Sequence, residues 1–193
     1  MAQDFPQIEV KSRAELRSWL MRHHDQSTSI WLISHKKSSP YYLPYDAIVE
    51  EALCFGWIDS QPRALDEARS MLRLSPRKAK SGWSKVNKDR VEKLIAAGLM
   101  TPAGLARIEE AKRSGTWDML EGAHSGSVPA DLAAAFAAYP AAAENFAGFP
   151  LSTRKAILEW IALAKRPETR AARIAETARL AASNERANQW KKS

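Results

Sequence analysis

Residues 28–35, TSIWLISH, decide the fold of the N-terminal half of this chain. Their centre, Ile30 to Ile33, is apolar at every position, so an extended segment here would be apolar on both faces. β-Branched and aromatic side chains also favour extended backbone. We therefore predict a central strand that is covered on both sides.

Helical patterns flank this strand. Residues 12–23 begin with Ser12, a residue type that caps helices, and Glu15 follows at the spacing of a capping box. Residues 46–55 repeat apolar side chains with helical spacing, and Gly56 is suited to end that helix in the left-handed conformation. A helix is therefore expected on each side of the central strand in the chain.

Two further strands are predicted at residues 57–61 and 68–75, with a turn between them. In the second strand Arg69, Met71 and Arg73 alternate with Ser70, Leu72 and Leu74, so one face of it is expected to be basic.

Helices are expected to fill the rest of the chain. Asn87 is expected to cap one helix that Gly98 ends, and Thr101 to cap another that ends near Gly115. Beyond residue 129 the chain is rich in alanine and has no strand pattern.

Together these patterns predict an α+β fold, with a small mixed or antiparallel sheet packed with helices and an all-helical unit after it. The expected domains are an N-terminal α+β domain at residues 1–121, a polar linker at 122–128 and a helical C-terminal domain at 129–193.

The overall composition excludes several classes of protein. Hydrophobic residues make up 45% and charged residues 26% of the 193 residues, as in soluble globular proteins. No apolar run approaches the ~18 residues of a membrane span, and the start MAQDFPQIEV has no basic end leading into an apolar stretch, so we expect a cytoplasmic protein. One cysteine and four scattered histidines exclude an internal disulfide and a Cys/His zinc module. No cofactor or metal is expected.

The positive charge is concentrated in one segment. The chain carries +7, with a pI near 9.6, and residues 73–93 hold eight basic and two acidic side chains, a net charge of +6. Any attraction for an anion is therefore expected to centre on this segment, although a solvated helix face with a basic loop explains the same pattern.

The candidate binding site joins the run CFGWIDS at residues 54–60 to this basic segment. Indole rings suit a nucleobase and cations suit its phosphate, while hydroxyl, amide and carboxylate groups add hydrogen bonds. The candidate ligand-binding residues are Trp57, Asp59, Ser60, Arg73, Arg77, Trp83, Ser84, Lys85 and Asn87. The alternative is that both tryptophans are core residues and that Asp59 pairs with Arg77 or Arg63.

Signals for catalysis are weaker. His35 could act as an acid or base near neutral pH, or lie at an exposed strand end. Cys54 lies in an apolar helix, where a free cysteine behaves as a small hydrophobe rather than a nucleophile. The chain has no G-x-S-x-G elbow, P-loop, G-x-G-x-x-G or H-E-x-x-H motif. We therefore identify no catalytic residue.

Four motifs resemble a known family. They are EALCFGWIDSQ at residues 51–61, SPRKAKSGWSKVNKDR at 75–90, AAGLMTPAGL at 96–105 and AKRPETRAARI at 164–174. Together they resemble the YdeI/OmpD-associated, or bacteriocin-protection, family from the first helix to about residue 182. The resemblance implies a role in survival under antimicrobial peptides or bacteriocins, association with an outer-membrane porin, and a family-defining helical C-terminal domain.

Three functions follow from these observations. The first is a stress or bacteriocin-resistance protein of this family that is not an enzyme and acts by binding an anionic ligand or a protein partner. The second is a nucleic-acid-binding protein that uses residues 73–93, with an affinity that falls steeply with salt. The third is an enzyme acting on a small anionic metabolite, with Asp59 or His35 as its base. The oligomeric state and strand order do not follow from the sequence.

Overall fold

A computed structural model describes residues 5–189 of the chain. The strands are β1 (Gln7–Glu9), β2 (Ile30–His35), β3 (Trp57–Ala64) and β4 (Arg69–Pro76). The helices are α1 (Arg13–His23), α2 (Tyr45–Cys54), α3 (Lys85–Ala96), α4 (Pro102–Ser114), α5 (Glu121–Ser125), α6 (Ala130–Ala137), α7 (Ala142–Gly148), α8 (Leu151–Ala162) and α9 (Pro167–Ala182).

The strands form one mixed sheet in the order β1-β2-β4-β3. β1 is parallel to β2, and β4 is antiparallel to both β2 and β3. Helices follow this sheet to the end of the described chain, so the α+β prediction is confirmed.

The central-strand prediction is also confirmed, because β2 lies between β1 and β4. Ile30 and Leu32 are fully buried, and Trp31 and Ile33, on the other face, are 7% and 6% exposed. Both faces of β2 are therefore covered, as its continuous apolar run requires.

The basic face predicted for β4 is partly apolar. Met71 lies opposite Ile33 and forms a small buried cluster with it and Trp31. The side chain of Phe5 packs on this cluster, and the guanidinium of Arg73 lies 5.8 Å from the Phe5 ring centre. Arg73 thus covers an apolar surface as well as carrying charge.

A buried carboxylate that pairs with two partly exposed arginines joins α1 to α2. The Glu51 carboxylate, 3% exposed, accepts from Arg13 Nε at 2.6 Å and from Arg17 Nη1 at 2.9 Å. These interactions raise the pKa of both arginines, although burial opposes them. The predicted cap of α1 is confirmed, since Ser12 Oγ accepts from the Glu15 amide.

The predicted cap of α3 is wrong. The helix begins at Lys85, so Asn87 lies within it, and its mostly buried side chain accepts a hydrogen bond from Arg90 at 3.2 Å. The side chain thus forms a hydrogen bond one turn along the same helix, although propensity alone disfavours Asn inside a helix.

The start of α4 packs tightly on the end of α2. Thr101 caps α4, and its hydroxyl also donates to the Cys54 carbonyl at 2.6 Å. Gly104 is buried here: a Cβ at this position would lie 2.3 Å from the same Cys54 oxygen. Only glycine permits this approach of helix to backbone.

The described residues divide into two compact units. The first contains the residues up to Ser81 together with Val86–Thr116, and the second contains Gly82–Lys85 and the residues from Trp117 onward. Trp83 and Trp117, both in the second unit, have ring centres 4.9 Å apart. The chain therefore contributes a four-residue segment to the second unit before completing the first.

The second unit is helical, with a core that includes Leu132, Phe136, Phe146, Ile157 and Ile161. α5, with buried Ala123, occupies most of the stretch for which a linker is predicted, and α7 has no counterpart in the sequence prediction. The predicted domain bounds otherwise stay a prediction. α9 buries one side, and its Arg170 pairs with Asp131 of α6 at 2.8 Å.

Candidate functional site

A cavity of about 360 Å³ opens in the first unit, beside the end of β2. Its lining combines two lysines, two tyrosines, serines and an apolar surface. The lining residues are Ser34, His35, Lys36, Lys37, Tyr42, Leu43, Tyr45, Ile48, Pro62, Ser70, Met71 and Leu72. This volume and this mixture of groups are typical of a small-molecule site.

The loop between β2 and α2 holds the cationic and aromatic groups of the cavity. Lys36 is fixed at the strand end, since its amide donates to the Ala68 carbonyl and its Nζ donates to the Asp66 carbonyl at 2.8 Å. A turn brings Tyr42 back beside His35, with which it forms an isolated parallel β-bridge. The loop therefore returns to the sheet as an ordered wall of the cavity.

Tyr45, in the first turn of α2, links the cavity to one of the predicted site residues. Its hydroxyl donates to Asp59 Oδ2 at 2.7 Å. Partial burial of the phenol and the neighbouring Asp59 carboxylate raise the pKa of Tyr45 to about 12. The phenol is therefore a hydrogen-bond donor across the physiological pH range.

Asp59 also lies within the electrostatic reach of Arg77. Burial lowers the pKa of Arg77 to about 10, and the attraction of Asp59 opposes this shift. The Arg77 side chain is almost fully buried, and its backbone amide donates to the Gly56 carbonyl at 2.9 Å. The charge of Asp59 thus favours the charged form of Arg77, and the pairing of these two side chains stays a prediction.

A second set of polar contacts lies at the N-terminus of α2. Arg90 of α3 pairs with Asp46, the residue after Tyr45, and also donates to Asn87. Three predicted site residues, Asp59, Arg77 and Asn87, therefore belong to the polar surroundings of the α2 N-terminus. The carboxylate of Asp46 is also well placed for the positive end of the helix dipole.

Ser60 and Arg73 form a separate cross-strand pair. Arg73 Nε donates to Ser60 Oγ at 2.9 Å, on an exposed part of β3 and β4. The register of these strands shifts between Asp59 and Pro62. The irregularity follows from Pro62, which has no amide hydrogen for a sheet ladder.

The two predicted tryptophans are both core residues. Trp57 is fully buried in the first unit, where its Nε1 donates to the His24 carbonyl at 3.0 Å and its ring meets Trp19 edge to face. Trp83 is 1% exposed and belongs to the second unit, together with Ser84 and Lys85. Neither indole has an exposed ring face.

His35 is not at an exposed strand end. Its imidazole is 13% exposed, and Nε2 lies 3.1 Å from Glu9 Oε1. The other oxygen of Glu9 accepts from Arg69 at 3.1 Å. Glu9 of the edge strand β1 therefore contacts both inner strands, through His35 of β2 and Arg69 of β4, and His35 and its chain neighbours line the cavity.

Cys54 has the surroundings of a structural residue. It is fully buried, and burial followed by the Glu51 charge raises the pKa of its thiol, although Arg17 opposes this. A raised thiol pKa disfavours the nucleophilic thiolate.

Sequence reasoning missed Tyr45, Asp46 and the lysines of the loop. Tyr45 and Asp46 looked like an ordinary helix start, and Lys36 and Lys37 looked like a solvated loop. The signal that could have found them is the dense run KKSSPYYLPY at residues 36–45, in which cations and phenols occur together.

Two kinds of feature are absent from residues 5–189. No group of three or more His, Cys, Asp or Glu side chains is arranged to hold a metal ion. In the same residues, no helix has both the length and the apolar character needed to cross a bilayer.

The fold defines a two-unit α+β protein whose first unit contains the cavity described above. Residues 8–107, about half of the chain, match a family model described as Domain of unknown function (DUF8412), and residues 126–184 match one described as Bacteriocin-protection, YdeI or OmpD-Associated. The chain therefore belongs to the DUF8412 family, and its C-terminal region is similar to the domain of the YdeI or OmpD-associated family. Three of the four motifs quoted above lie within the first match and one within the second.

No curated protein and no solved structure matches the chain.

Proposed function

We propose that this protein supports stress or bacteriocin resistance by binding a small anionic ligand in the cavity of the first unit. The observation that carries the proposal is the lining of that cavity, which places Lys36 and Lys37 beside the phenols of Tyr42 and Tyr45 over an apolar floor. The family match of residues 126–184 supports the resistance role.

The charges around the cavity favour an anion. Lys36 Nζ donates one of its three hydrogens to the Asp66 backbone carbonyl. Because that acceptor is neutral, the contact does not compensate the charge of the ammonium group. Lys37 is exposed at the same loop. The two ammonium groups supply donors for a phosphate or carboxylate, and the apolar floor suits a ring or short chain.

The sequence predicts that Trp57 and Trp83 stack on the ligand, whereas in the proposed site this stacking is provided by tyrosines. Tyr42 and Tyr45 are 38% and 52% exposed, so their rings are accessible to a flat ligand. A mononucleotide combines a flat ring with a phosphate and is therefore the first probe to use.

Binding is tested by calorimetric titration of AMP, inorganic phosphate and adenosine into the full-length protein. The proposal expects AMP to bind more tightly than adenosine and Lys37→Gln to lose at least tenfold in AMP affinity. Lys155→Gln removes the same charge from α8 and should leave the affinity unchanged. Equal binding by the Lys37→Gln variant, or equal losses in both variants, would refute a specific role for this cavity.

The resistance role is tested in cells. A strain of the source organism without this gene should be more sensitive to a cationic antimicrobial peptide, and the wild-type gene should restore its survival. The Lys37→Gln gene should restore less survival at equal protein level. Full restoration would separate the resistance role from the cavity.

Nucleic-acid binding by residues 73–93 is the second candidate, because Lys78 and Lys80 are exposed. Arg77, however, is buried, and Arg90 is paired with Asp46, so part of the basic charge is not presented at the surface. The test is binding of a labelled DNA duplex over a salt series. A plot of log affinity against log salt concentration should have a slope near −0.9 for each phosphate contact. A shallower slope in a Lys78→Gln/Lys80→Gln variant would favour this candidate.

A further inference from the structure

The second unit contains an open apolar groove of about 460 Å³ between α6 and α7. Seven of the eight side chains that line it are apolar. Phe136 and Phe146, with ring centres 5.2 Å apart, form its buried floor. Alanines such as Ala133 and Ala147 form exposed walls, and their small side chains leave the space between the helices open.

The eighth lining residue is Arg154, from the first turn of α8. Its Nε atom is buried and has no hydrogen-bond partner. Within residues 5–189, no carboxylate lies within ion-pair distance of its guanidinium. A buried N–H without an acceptor is costly, and a cation beside apolar surface is especially so.

We propose that this groove binds an apolar ligand ending in a carboxylate, namely a medium-chain fatty acid anion. The alkyl chain lies on the two phenylalanine rings between the alanine walls, where it loses contact with water. The carboxylate pairs with the Arg154 guanidinium, the one cation among the residues that line the groove. The groove volume lies within the usual range of small-molecule sites.

This site is independent of the anion cavity proposed above. The groove is lined by residues of the second unit, and the anion cavity by residues of the first. The ligands also differ in kind, since the groove is almost wholly apolar and has one cation at its side.

The test is calorimetric titration of the full-length protein with hexanoate, octanoate, decanoate and decanol, each below its micelle concentration. Each buried methylene should increase the affinity about fourfold, because burial of one methylene contributes about 0.8 kcal/mol. Decanoate should bind at least tenfold more tightly than decanol. The absence of saturable decanoate binding would overturn the proposal.

Three variants locate the site. Arg154→Gln should remove the preference of decanoate over decanol while keeping the dependence on chain length. Lys155→Gln, a matched loss of charge at the next position of α8, should change neither. Ala147→Leu, which fills the groove from an exposed position, should weaken decanoate and decanol alike. A decanoate affinity that Arg154→Gln and Ala147→Leu leave unchanged would show that fatty acid binds elsewhere and would refute the assignment.

Discussion

Replacement of Gly104 by alanine tests the closest helix-to-backbone approach in the first unit. The added Cβ would lie 2.3 Å from the Cys54 carbonyl oxygen and 2.7 Å from the Met100 Cε. The end of the methionine can move aside, but the carbonyl cannot, because the Thr101 amide and hydroxyl both donate to it. α4 must therefore move away from the end of α2.

The expected cost combines three effects. Overpacking of a close contact costs about 1–3 kcal/mol. Weakening of the Thr101 cap adds about 1 kcal/mol. Alanine gains about 1 kcal/mol over glycine in helix propensity, which offsets part of the loss. The free energy of unfolding of the first unit should therefore fall by about 1–3 kcal/mol.

The assay is equilibrium unfolding in urea followed by far-ultraviolet circular dichroism, with hydrogen exchange to assign the loss to the first unit. Gly122→Ala is the matched control, because no atom lies within 4 Å of the Cβ that would be added there. That variant should be neutral or up to about 1 kcal/mol more stable. A loss below about 0.5 kcal/mol in Gly104→Ala would refute the close-approach argument.

Three further predictions concern charged and titrating groups. Glu51→Gln should lower the free energy of unfolding by about 2–3 kcal/mol in urea titrations, since it removes the charge that two arginines share; an unchanged midpoint would contradict this. Asp131, whose pKa the Arg170 ion pair lowers, should stabilise the protein above the carboxyl's unfolded pKa and lose this effect as pH falls through the folded pKa. In Asp131→Asn the urea midpoint should therefore fall at pH 7 and match that of the wild type near pH 2. The loss in free energy of unfolding at pH 7 should be below about 1 kcal/mol, because the ion pair is exposed. Equal midpoints at pH 7 would argue against a stabilising ion pair. Absorbance at 295 nm should show one phenol titrating near pH 12, and Asp59→Asn should move the pKa of Tyr45 down; no change in that variant would remove the carboxylate as a cause.

The parts of the fold that sequence reasoning found are those with a strong local signal. The apolar run at Ile30 to Ile33 predicts a central strand because no other extended arrangement buries both of its faces. Ser12 and Thr101 predict helix starts because their hydroxyls satisfy amides that a helix leaves open.

Some elements that the sequence analysis missed form only through contacts with distant parts of the chain. β1 has three residues and exists through its pairing with β2, so Gln7–Glu9 carries no pattern of its own. Asn87 is a local exception: it has the residue type of a cap, but the helix already begins at Lys85 and the Asn87 side chain accepts from Arg90 one turn later.

The sequence predicts only part of the site, because the exposure of side chains also depends on tertiary packing. Asp59 is predicted to pair with Arg77; in the structure Asp59 accepts from Tyr45, and its charge favours the charged form of Arg77. The exposure of an aromatic ring depends on tertiary packing, so the sequence could not distinguish the buried Trp57 from the accessible Tyr45.

Because Gly82–Lys85 belongs to the second unit, the two units cannot be exchanged or separated by a single cut in the chain. A gene fusion that exchanged everything after Thr116 would bring in a new helical unit but keep the old Trp83, whose ring must fit the new Trp117. A fragment that ended at Thr116 would leave that indole without its stacking partner. Recombination between relatives would therefore preserve both units only where residues 82–85 and the helical unit are inherited together.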